Sequence, residues 1–354
     1  MSGRRVRDHA LPADSRVVAS RRGRWSLRYS HRSAVVSGVL LVALVTLLAA
    51  SLMLGEYLVT PAVLRDTLLG HAPDRMTEFF VLGRRLPRAL VAMTVGACLA
   101  VAGAVFQLLT RNPLASPDVI GISSGASVGA VVVMLLLGGS LDQAAFGAVV
   151  GALAMAGLIV LLTARTGVHG VQLILVGIGL SAIAAAVVDY ILTQVFVASA
   201  TTAQTWLIGS LQGRGWADLG PVVIALVALM PVFVLFGADA RMMALGEGVS
   251  TALGVRTVRV RWILLAAATL LVAAAVATAG PVSFVALVAP HIARRLTGTT
   301  SFFAAALTGA FLLAASDLLA QYAFPAPIPV GAVTITVGGV FFLWLLWREG
   351  RRRG

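Results

Sequence analysis

The sequence predicts an all-α integral membrane protein of about ten transmembrane helices, with both termini in the cytoplasm. Three observations lead to this fold class. Hydrophobic residues make up 59% of the 354-residue chain and charged residues only 12%, whereas soluble domains have roughly 45–50% apolar and about 25% charged residues. The apolar residues fall in blocks of about 18 or more, long enough to cross a hydrocarbon core of roughly 30 Å. Arginines are concentrated before the first block and after the last, as in proteins whose positively charged ends stay in the cytoplasm.

Ten apolar blocks are predicted to be spans, because an even number keeps both basic chain ends on one side of the membrane. The blocks are residues 34–54, 88–110, 119–138, 144–164, 171–196, 219–237, 261–280, 283–296, 302–322 and 329–347. The third contains small polar residues and the eighth is short, so these two fit a full span least well. The predicted domains are a basic, disordered cytoplasmic tail at 1–33, a transmembrane domain at 34–347 and a basic cytoplasmic tail at 348–354.

The charged residues exclude several function classes. All 27 basic residues are arginine, and the chain has no lysine. A Walker A loop needs a lysine that reaches the nucleotide phosphates, so any ATP-driven step requires a separate subunit. The net charge of +13 follows the membrane topology rather than a nucleic-acid-binding face. The single cysteine, Cys98, lies in an apolar block, which leaves no disulfide framework and no cysteine metal site.

Six arginines fall on the non-cytoplasmic side of this topology, where arginine is disfavoured. They are Arg65, Arg75, Arg84, Arg85, Arg88 and Arg214. Arg84, Arg85 and Arg88 are clustered just before the second span. One interpretation is an interfacial anchor whose charged heads reach the membrane surface. The other is a docking point for acidic groups of a partner or ligand.

A moderately polar segment at 239–261 joins the sixth and seventh spans. Leu245, Val249 and Leu253 recur every four residues, as on one face of a helix. The pattern predicts two short helices along the membrane surface that present an apolar ridge and Glu247 to a cytoplasmic partner. A plain basic loop is the alternative.

Three glycines are expected to delimit these short helices. Gly246 and Gly248 should break the first turns, and Gly254 should end the second helix, because glycine favours helix termini with a left-handed backbone.

The turn between the second and third spans is predicted to be stiff. Pro113, which follows Asn112, and Pro117 bracket it, and proline is excluded from helix interiors. Ser116 or Asp118 can cap the next helix. A structural role is sufficient for this turn, with contact to a cytoplasmic partner as a secondary role.

Asp189 and Asp317 lie within the fifth and ninth predicted spans. Ionisable groups inside a membrane are costly and are therefore functional candidates. They predict either a proton-coupled secondary transporter or carboxylates that are paired or placed at span ends. His291 has no further ligand at suitable spacing, which favours helix-end packing over a metal site.

Small residues predict close helix contacts around the third and fourth spans. Gly125 and Gly129 form one small-xxx-small pair, and Gly147 and Gly151 form another. Such pairs let helix backbones approach closely within lipid.

Five stretches together resemble one protein family. They are RLPR at 85–88, RNPLASPDVIGISSGASVGA at 111–130, LGEGVSTALGV at 245–255, PVSFVALVAPHIARRLTG at 281–298 and VGAVTITVGGVFFLWLL at 330–346. In this order they resemble the FecCD-type permeases, which import iron–siderophore complexes, haem and vitamin B12. The resemblance covers nearly everything from about 34 to 347.

This resemblance implies a FecCD/vitamin B12-permease-like bundle in the bacterial cytoplasmic (inner) membrane, acting as the permease subunit of an ABC importer. The cargo is expected to be a ferric siderophore, or haem or cobalamin. The implied partners are a pair of ABC ATP-binding subunits, an extracytoplasmic substrate-binding protein and a second permease, as a homodimer or heterodimer. No cofactor is expected on this chain, and ATP is expected on the partner subunit. A permease of a related ABC class for bare metal ions is an alternative, and it would require His or acidic ligands along its transport path.

The resemblance also assigns site residues. It implies an ATPase-coupling loop of Ala244, Leu245, Gly246, Glu247, Gly248, Leu253 and Gly254. It implies that Arg85 and Arg88 receive glutamates from the binding protein. Many relatives carry a further arginine where Gln321 stands, so the third docking contact is expected to be weaker or to come from the other subunit.

Overall fold

The structure is a computed structural model that describes residues 15–19, 26–55, 57–163 and 170–351. Two short strands, β1 (Ser15–Ala19) and β2 (Ser26–Ser30), pair antiparallel near the N-terminus. They lie in the segment predicted to be a tail, and the other residues before 26 are outside the described ranges. All other regular structure in the described residues is helical.

The helices follow in this order along the chain. They are α1 (His31–Met53), α2 (Pro61–Leu68), α3 (Arg75–Glu78), α4 (Leu86–Thr110), α5 (Pro117–Ile120), α6 (Ile122–Val131), α7 (Leu141–Thr163), α8 (Gly170–Thr193), α9 (Val197–Ile208), α10 (Trp216–Leu235), α11 (Gly237–Met243), α12 (Glu247–Ala252), α13 (Thr257–Ala279), α14 (Val285–Thr297), α15 (Phe302–Tyr322) and α16 (Val330–Gly350). A π-helical segment at Phe79–Arg85 joins α3 to α4, and another at Val132–Leu136 extends α6.

The predicted all-α membrane fold is confirmed. Within the described residues, seven helical stretches are long and apolar enough to cross a membrane, and two shorter apolar helices span Ile122–Leu136 and Val330–Leu345. These nine stretches coincide with nine of the ten predicted spans. The tenth, predicted at 283–296, corresponds to α14.

Helix α14 differs from the prediction in being too short to cross alone. Its 13 residues extend about 20 Å at 1.5 Å per residue. An irregular stretch from Gly280 to Phe284 precedes it, and Phe284 has a left-handed backbone with φ of 68°. The sequence prediction placed an apolar block correctly but counted part of this irregular stretch as helix.

Helix α4 is the centre of the bundle. Nearly every residue from Val91 to Leu108 is buried, and the helix packs against α13, α14 and α15. The contact with α15 is close because Gly96 faces Gly309, and a Cβ on either residue would overlap the carbonyl of the other. Such backbone contact is typical of helix association in lipid.

The predicted contact through small residues on the third and fourth spans is confirmed. Gly125 of α6 faces Gly151 of α7, and Gly129 faces Gly147. A Cβ on any of the four would overlap backbone or side-chain atoms of the other helix, so the two helices touch through their backbones.

Several elements between the spans were not predicted. The predicted fifth span at 171–196 divides: α8 ends at Thr193, and a separate helix, α9, begins at Val197. Helices α2 and α3 and the π-helical turn at Phe79–Arg85 fill the connection that precedes α4. Their short lengths and mixed composition carry no periodic pattern that distinguishes them from loops.

The candidate site residues lie at the two ends of the bundle. We call the end where α4 begins, with Arg88, the arginine end. The end where α4 gives way to the turn at 111–116 is called the turn end. Since α15 runs antiparallel to α4, its Asp317 lies at the arginine end.

Candidate functional site: an arginine-lined cavity and a loop at opposite ends

Four arginines meet at a cavity of about 270 Å³ at the arginine end. They are Arg84, Arg85, Arg88 and Arg214. The other described residues that line the cavity include Tyr57, Phe80, Gln321 and Tyr322, and no acidic residue is among them. Arginine guanidinium groups in such an arrangement favour carboxylate or phosphate groups of a ligand or partner.

Arg85 is held by backbone carbonyls. Its guanidinium donates to the Leu52 carbonyl at 2.8 Å and to the Tyr57 carbonyl at 2.7 Å. These bonds fix the last turn of α1 and the chain just after it against the start of α4. The charge of Arg85 is therefore oriented without being neutralised by a carboxylate among the described residues.

A short network continues from Tyr57 to the start of α3. The Tyr57 hydroxyl donates to Asp74 at 3.2 Å, and the Thr77 backbone N–H donates to the same carboxylate at 2.6 Å. The Thr77 N–H is the main reason why the pKa of the Asp74 carboxyl lies below its ordinary value. The carboxylate thus acts as the N-cap of α3.

Arg88 forms a two-point ion pair with Asp317. Its Nη2 lies 2.8 Å from Oδ1 and its Nε lies 3.1 Å from Oδ2. The Gln321 amide also donates to Asp317 Oδ2, at 2.7 Å. The side chains of Arg88 and Asp317 are 19% and 4% exposed. Of the two interpretations of Asp317, the structure favours a paired carboxylate, and Gln321 supports that pair.

The remaining two arginines of the cavity differ from each other. Arg214 forms an ion pair with Asp218 at 3.0 Å. Arg84 is exposed and lies over the Phe79 ring at 5.4 Å from its centroid, with no ion pair to any described residue. Within the described part of the cavity, the charges of Arg84 and Arg85 are consequently the two that lack a carboxylate.

The turn end carries the segment that was predicted to form two short helices, and this prediction is confirmed by α11 and α12. Leu245, Val249 and Leu253 are all exposed, and we call these three side chains the apolar ridge. Only Val249 lies within α12, because Leu245 precedes the break at Gly246 and Leu253 follows the helix, so the four-residue spacing does not mark one helix face as predicted. Gly246 precedes α12 with φ of 119° and Gly254 follows it with φ of 85°. These backbone conformations require glycine.

One detail of the loop prediction is wrong. Gly248 does not break a turn, because it lies inside α12 as its second residue. The break falls at Gly246 alone, whose positive φ separates the two helices.

Glu247 is paired within the chain. Its Oε1 lies 2.8 Å from Nη2 of Arg261 in the second turn of α13. Arg261 is only 13% exposed, whereas Glu247 is 48% exposed. Glu247 was predicted to face a partner, but the Glu247 carboxylate points back towards the bundle.

The turn after α4 also contacts this loop. Arg111 ends α4 in a left-handed conformation with φ of 53°, and its Nε donates to the Met243 carbonyl at 3.2 Å. The Asn112 side chain accepts the Leu114 N–H at 2.9 Å. The turn is therefore folded on itself and bonded to the last residue of α11.

Both predicted caps of the turn have partners. Ser116 accepts the Val119 N–H at 3.3 Å and caps α5, whose first residue is the buried Pro117. Asp118 accepts the Ser123 hydroxyl at 2.6 Å, which ties α5 to α6. Pro113 lies half-buried within the same turn.

The comparison with known proteins identifies the family. A model of the FecCD transport family matches residues 41–348. The chain belongs to the FecCD transport family. It is 41% identical over 328 residues to the ferric enterobactin transport system permease protein FepG of Escherichia coli (strain K12), covering 90% of this chain and 99% of that protein.

Two further comparisons agree with FecCD membership. The Fe(3+)-citrate import system permease protein YfmE of Bacillus subtilis (strain 168) is 36% identical, covering 92% of this chain and 98% of that protein. A solved metal-chelate type ABC transporter in an inward-facing conformation superposes with a TM-score of 0.80 at 26% identity, over 89% of this chain and 99% of that one. The chain is thus a multi-span permease of the ABC importer class.

The other polar candidates of this FecCD chain occupy separate places. Asp189 is exposed on α8, one turn before the helix ends, and forms no ion pair with a described residue. His291 is buried on α14 and packs edge-on against the Phe341 ring at 5.7 Å. The described residues contain no group of three or more His, Cys, Asp or Glu side chains arranged to hold a metal ion.

Two bonded arginines of the turn end were not singled out from the sequence. Arg111 appeared only within the stretch that carries the family resemblance, and Arg261 was given no role. Arg84 belonged to the cluster for which docking was one interpretation, although the resemblance named only Arg85 and Arg88. Arg261 and Glu247 stand 14 residues apart, across the glycine that follows α12, and such a separation gives no periodic signal.

Proposed function

We propose that this chain is the permease subunit of an ABC importer that carries a ferric siderophore across the bacterial cytoplasmic membrane, driven by a separate ATPase subunit. The observation that carries the proposal is the exposed ridge of Leu245, Val249 and Leu253 on a loop bonded to the bundle. An exposed apolar ridge in a polar segment marks a protein–protein contact. The FecCD membership of the chain supports an ABC ATP-binding subunit as the partner of this ridge.

The turn end then faces the cytoplasm, and both chain termini lie on that side. Arg111, Arg261 and the arginines that end α14, Arg294 and Arg295, lie at this end. Their number is consistent with a cytoplasmic surface. The ATPase pair binds ATP, and this chain contributes the loop from Ala244 to Gly254.

The arginine end then faces outward and receives the extracytoplasmic binding protein. Acidic side chains of that protein dock on the arginine-lined cavity, where Arg84 and Arg85 have no carboxylate partner among the described residues. Arg88 contributes to the same surface while paired with Asp317. A rim of charges sets the orientation and association rate more than the affinity, which suits a partner that leaves in every cycle.

The proposed cycle has three steps. A loaded binding protein docks at the arginine end. ATP-driven closure of the ATPase pair moves the loops at the turn end. This motion switches the path between two permeases from outward-open to inward-open, as a rigid-body change. The second permease is another copy of this chain or a paralogue.

The ferric siderophore is preferred as cargo because of the relatives' own substrates. FepG is described as a permease for ferric enterobactin and YfmE as a permease for Fe(3+)-citrate. Haem and cobalamin remain the other members of the cargo class. No metal-ligand cluster lies among the described side chains, and a chelate that arrives with its own ligands does not need one.

A proton-coupled secondary transporter is the second candidate function, favoured by the exposed Asp189 within an apolar helix. Asp317 supports it less, because that carboxylate is already bonded to Arg88 and Gln321. The two candidates differ in their energy source. A protonophore applied at constant ATP abolishes uptake by a secondary transporter and leaves ABC import in place.

The proposal is tested by radioiron accumulation in cells from which this gene is deleted and then restored. Loss of uptake from one or more ferric siderophores on deletion, and recovery on restoration, supports the iron-chelate assignment and identifies the cargo. Unchanged uptake of every ferric siderophore contradicts that assignment. Uptake of labelled haem and cobalamin is then measured in the same strains. Gene-dependent uptake of either indicates a different cargo, and its absence for both indicates a different function.

A further inference from the structure

The segment 237–255, which contains the coupling loop from Ala244 to Gly254, is bonded to the bundle at two separated points. At the first residue of α12, Glu247 contacts Arg261 of α13 at 2.8 Å. At the last residue of α11, the Met243 carbonyl accepts a bond from Arg111, which follows α4, at 3.2 Å. The two bonds lie on either side of Gly246, where the loop changes direction.

Both short helices of this segment contain buried residues. Ala240 and Met243 of α11 and Ser250 of α12 are buried. The Ser250 hydroxyl donates within its own helix, to the carbonyls of Gly246 and Glu247. The loop therefore has a bonded inner face and the exposed ridge as its outer face.

The glycine positions make the bonds necessary for rigidity. Gly246 and Gly254 border α12 with positive φ, and no neighbouring atom lies within 4 Å of the place where a Cβ would stand on either residue. A helix of six residues is too short to hold its own orientation. Without a second contact, α12 is free to rotate about these glycines when a partner presses on its ridge.

The two helices reached by the bonds are central to the bundle. α4 is buried along most of its length, and α13 packs directly against it. A displacement of the loop that is carried into both helices moves the core of the permease rather than the loop alone.

We propose that Arg261 and Arg111 are positioning residues that brace the coupling loop against α13 and α4, so that movement of the ATPase is transmitted to the bundle. Glu247 serves as the inner anchor of this brace and is not an ATPase contact. The inference rests on the proposed function, since it assumes that the loop binds the ATPase. It adds that coupling depends on bonds inside the permease chain.

The first test uses the complete transporter in proteoliposomes, with ATP hydrolysis and ferric chelate accumulation measured together. Glu247→Gln and Arg261→Gln each lower the chelate imported per ATP about fivefold, the effect of losing one partly exposed ion pair. ATP hydrolysis and assembly with the ATPase stay at the wild-type level. The exchanged pair, Glu247→Arg with Arg261→Glu, restores at least half of the lost ratio.

The matched control is Arg259→Gln, which removes an exposed arginine two residues from Arg261 that has no ion pair with a described residue. It leaves the ratio of chelate to ATP unchanged. An unchanged ratio in Glu247→Gln and Arg261→Gln overturns the brace. Loss of ATPase assembly in Glu247→Gln also overturns it, because Glu247 is then a direct contact.

A second test needs no transport activity and so separates the brace from the proposed function. Hydrogen–deuterium exchange of the full chain in detergent is followed at residues 247–252. Glu247→Gln and Arg261→Gln raise exchange there several-fold and the exchanged pair lowers it again, while exchange of α13 itself is unchanged. Equal exchange in wild type and both variants overturns the brace, whereas absent ATP-dependent uptake by the wild type overturns the proposed function alone.

Discussion

Arg88 of α4 and Asp317 of α15 are joined by two hydrogen bonds of 3.1 and 2.8 Å in a pair whose carboxylate is almost fully buried. The pair closes the contact between these helices at the arginine end, beyond the point where Gly96 meets Gly309. Arg88, which is expected to dock a partner, thus also holds α4 and α15 together. Its two roles require separate tests.

Removing one partner of this pair is expected to be more damaging than removing both. Arg88→Gln leaves the Asp317 carboxylate without its ion pair and costs about 3 kcal/mol, because an uncompensated buried charge remains. The double variant Arg88→Gln with Asp317→Asn recovers most of that loss. Thermal unfolding in detergent measures both, and a double variant as unstable as the single one contradicts the pairing.

Docking of the binding protein is expected to depend on Arg84. Arg84→Glu reverses an exposed charge that forms no ion pair with described residues, so stability is unchanged while docking weakens about tenfold at low salt. The loss shrinks at high salt, since the Debye length falls from about 10 Å at 0.1 M to about 3 Å at 1 M. Titration of the purified binding protein measures the affinity. Equal affinities at low salt rule out a role for Arg84.

The membrane fold was predictable because its signals are long and repeated. Apolar blocks such as 34–54 and 302–322 coincide with α1 and α15 to within three residues at each end. The division of α8 from α9 and the irregular start of α14 were not predicted from the sequence. An apolar composition does not distinguish a helix from buried irregular backbone. Phe284 has a left-handed backbone, and its side chain lies against Gly338 of α16, a contact that no local pattern reports.

The backbone contact between α4 and α15 predicts a position-dependent effect of adding one methyl group. Gly96→Ala places its Cβ against the Gly309 carbonyl and costs about 1–3 kcal/mol through overpacking. Gly157→Ala is the control, because Gly157 is an exposed glycine of α7 with no atom within 4 Å of such a Cβ. Unfolding temperatures in detergent compare the two. A Gly157→Ala variant as unstable as Gly96→Ala contradicts the role of the contact.

The apolar ridge is expected to carry ATPase binding. Val249→Asp places a charge at the centre of the ridge and weakens assembly with the ATPase at least tenfold, as loss of an interface anchor does. Leu69→Asp, at an exposed apolar residue of the opposite end, leaves assembly unchanged. Co-purification at graded ATPase concentrations measures the difference. Equal assembly of both variants shows that the ridge does not bind the ATPase.

The candidate site was predictable only in part. The spacing of Leu245, Val249 and Leu253 indicated three exposed apolar residues, although only Val249 lies within α12. The family resemblance indicated Arg85 and Arg88. The bonding partners of the site residues could not be predicted. Arg88 and Asp317 lie 229 residues apart in the sequence, and Arg111 and Met243 lie 132 residues apart. Contacts of this separation depend on how whole helices pack.

The most direct test of the central claim is the energy source of uptake in proteoliposomes that contain this chain, its ATPase subunit and its binding protein. Labelled ferric siderophore is supplied on the side of the binding protein, with ATP on the other side and no proton gradient. We expect accumulation that requires ATP hydrolysis and persists with a protonophore. Accumulation that follows an imposed proton gradient without the ATPase subunit would contradict the ABC importer function and identify a secondary transporter.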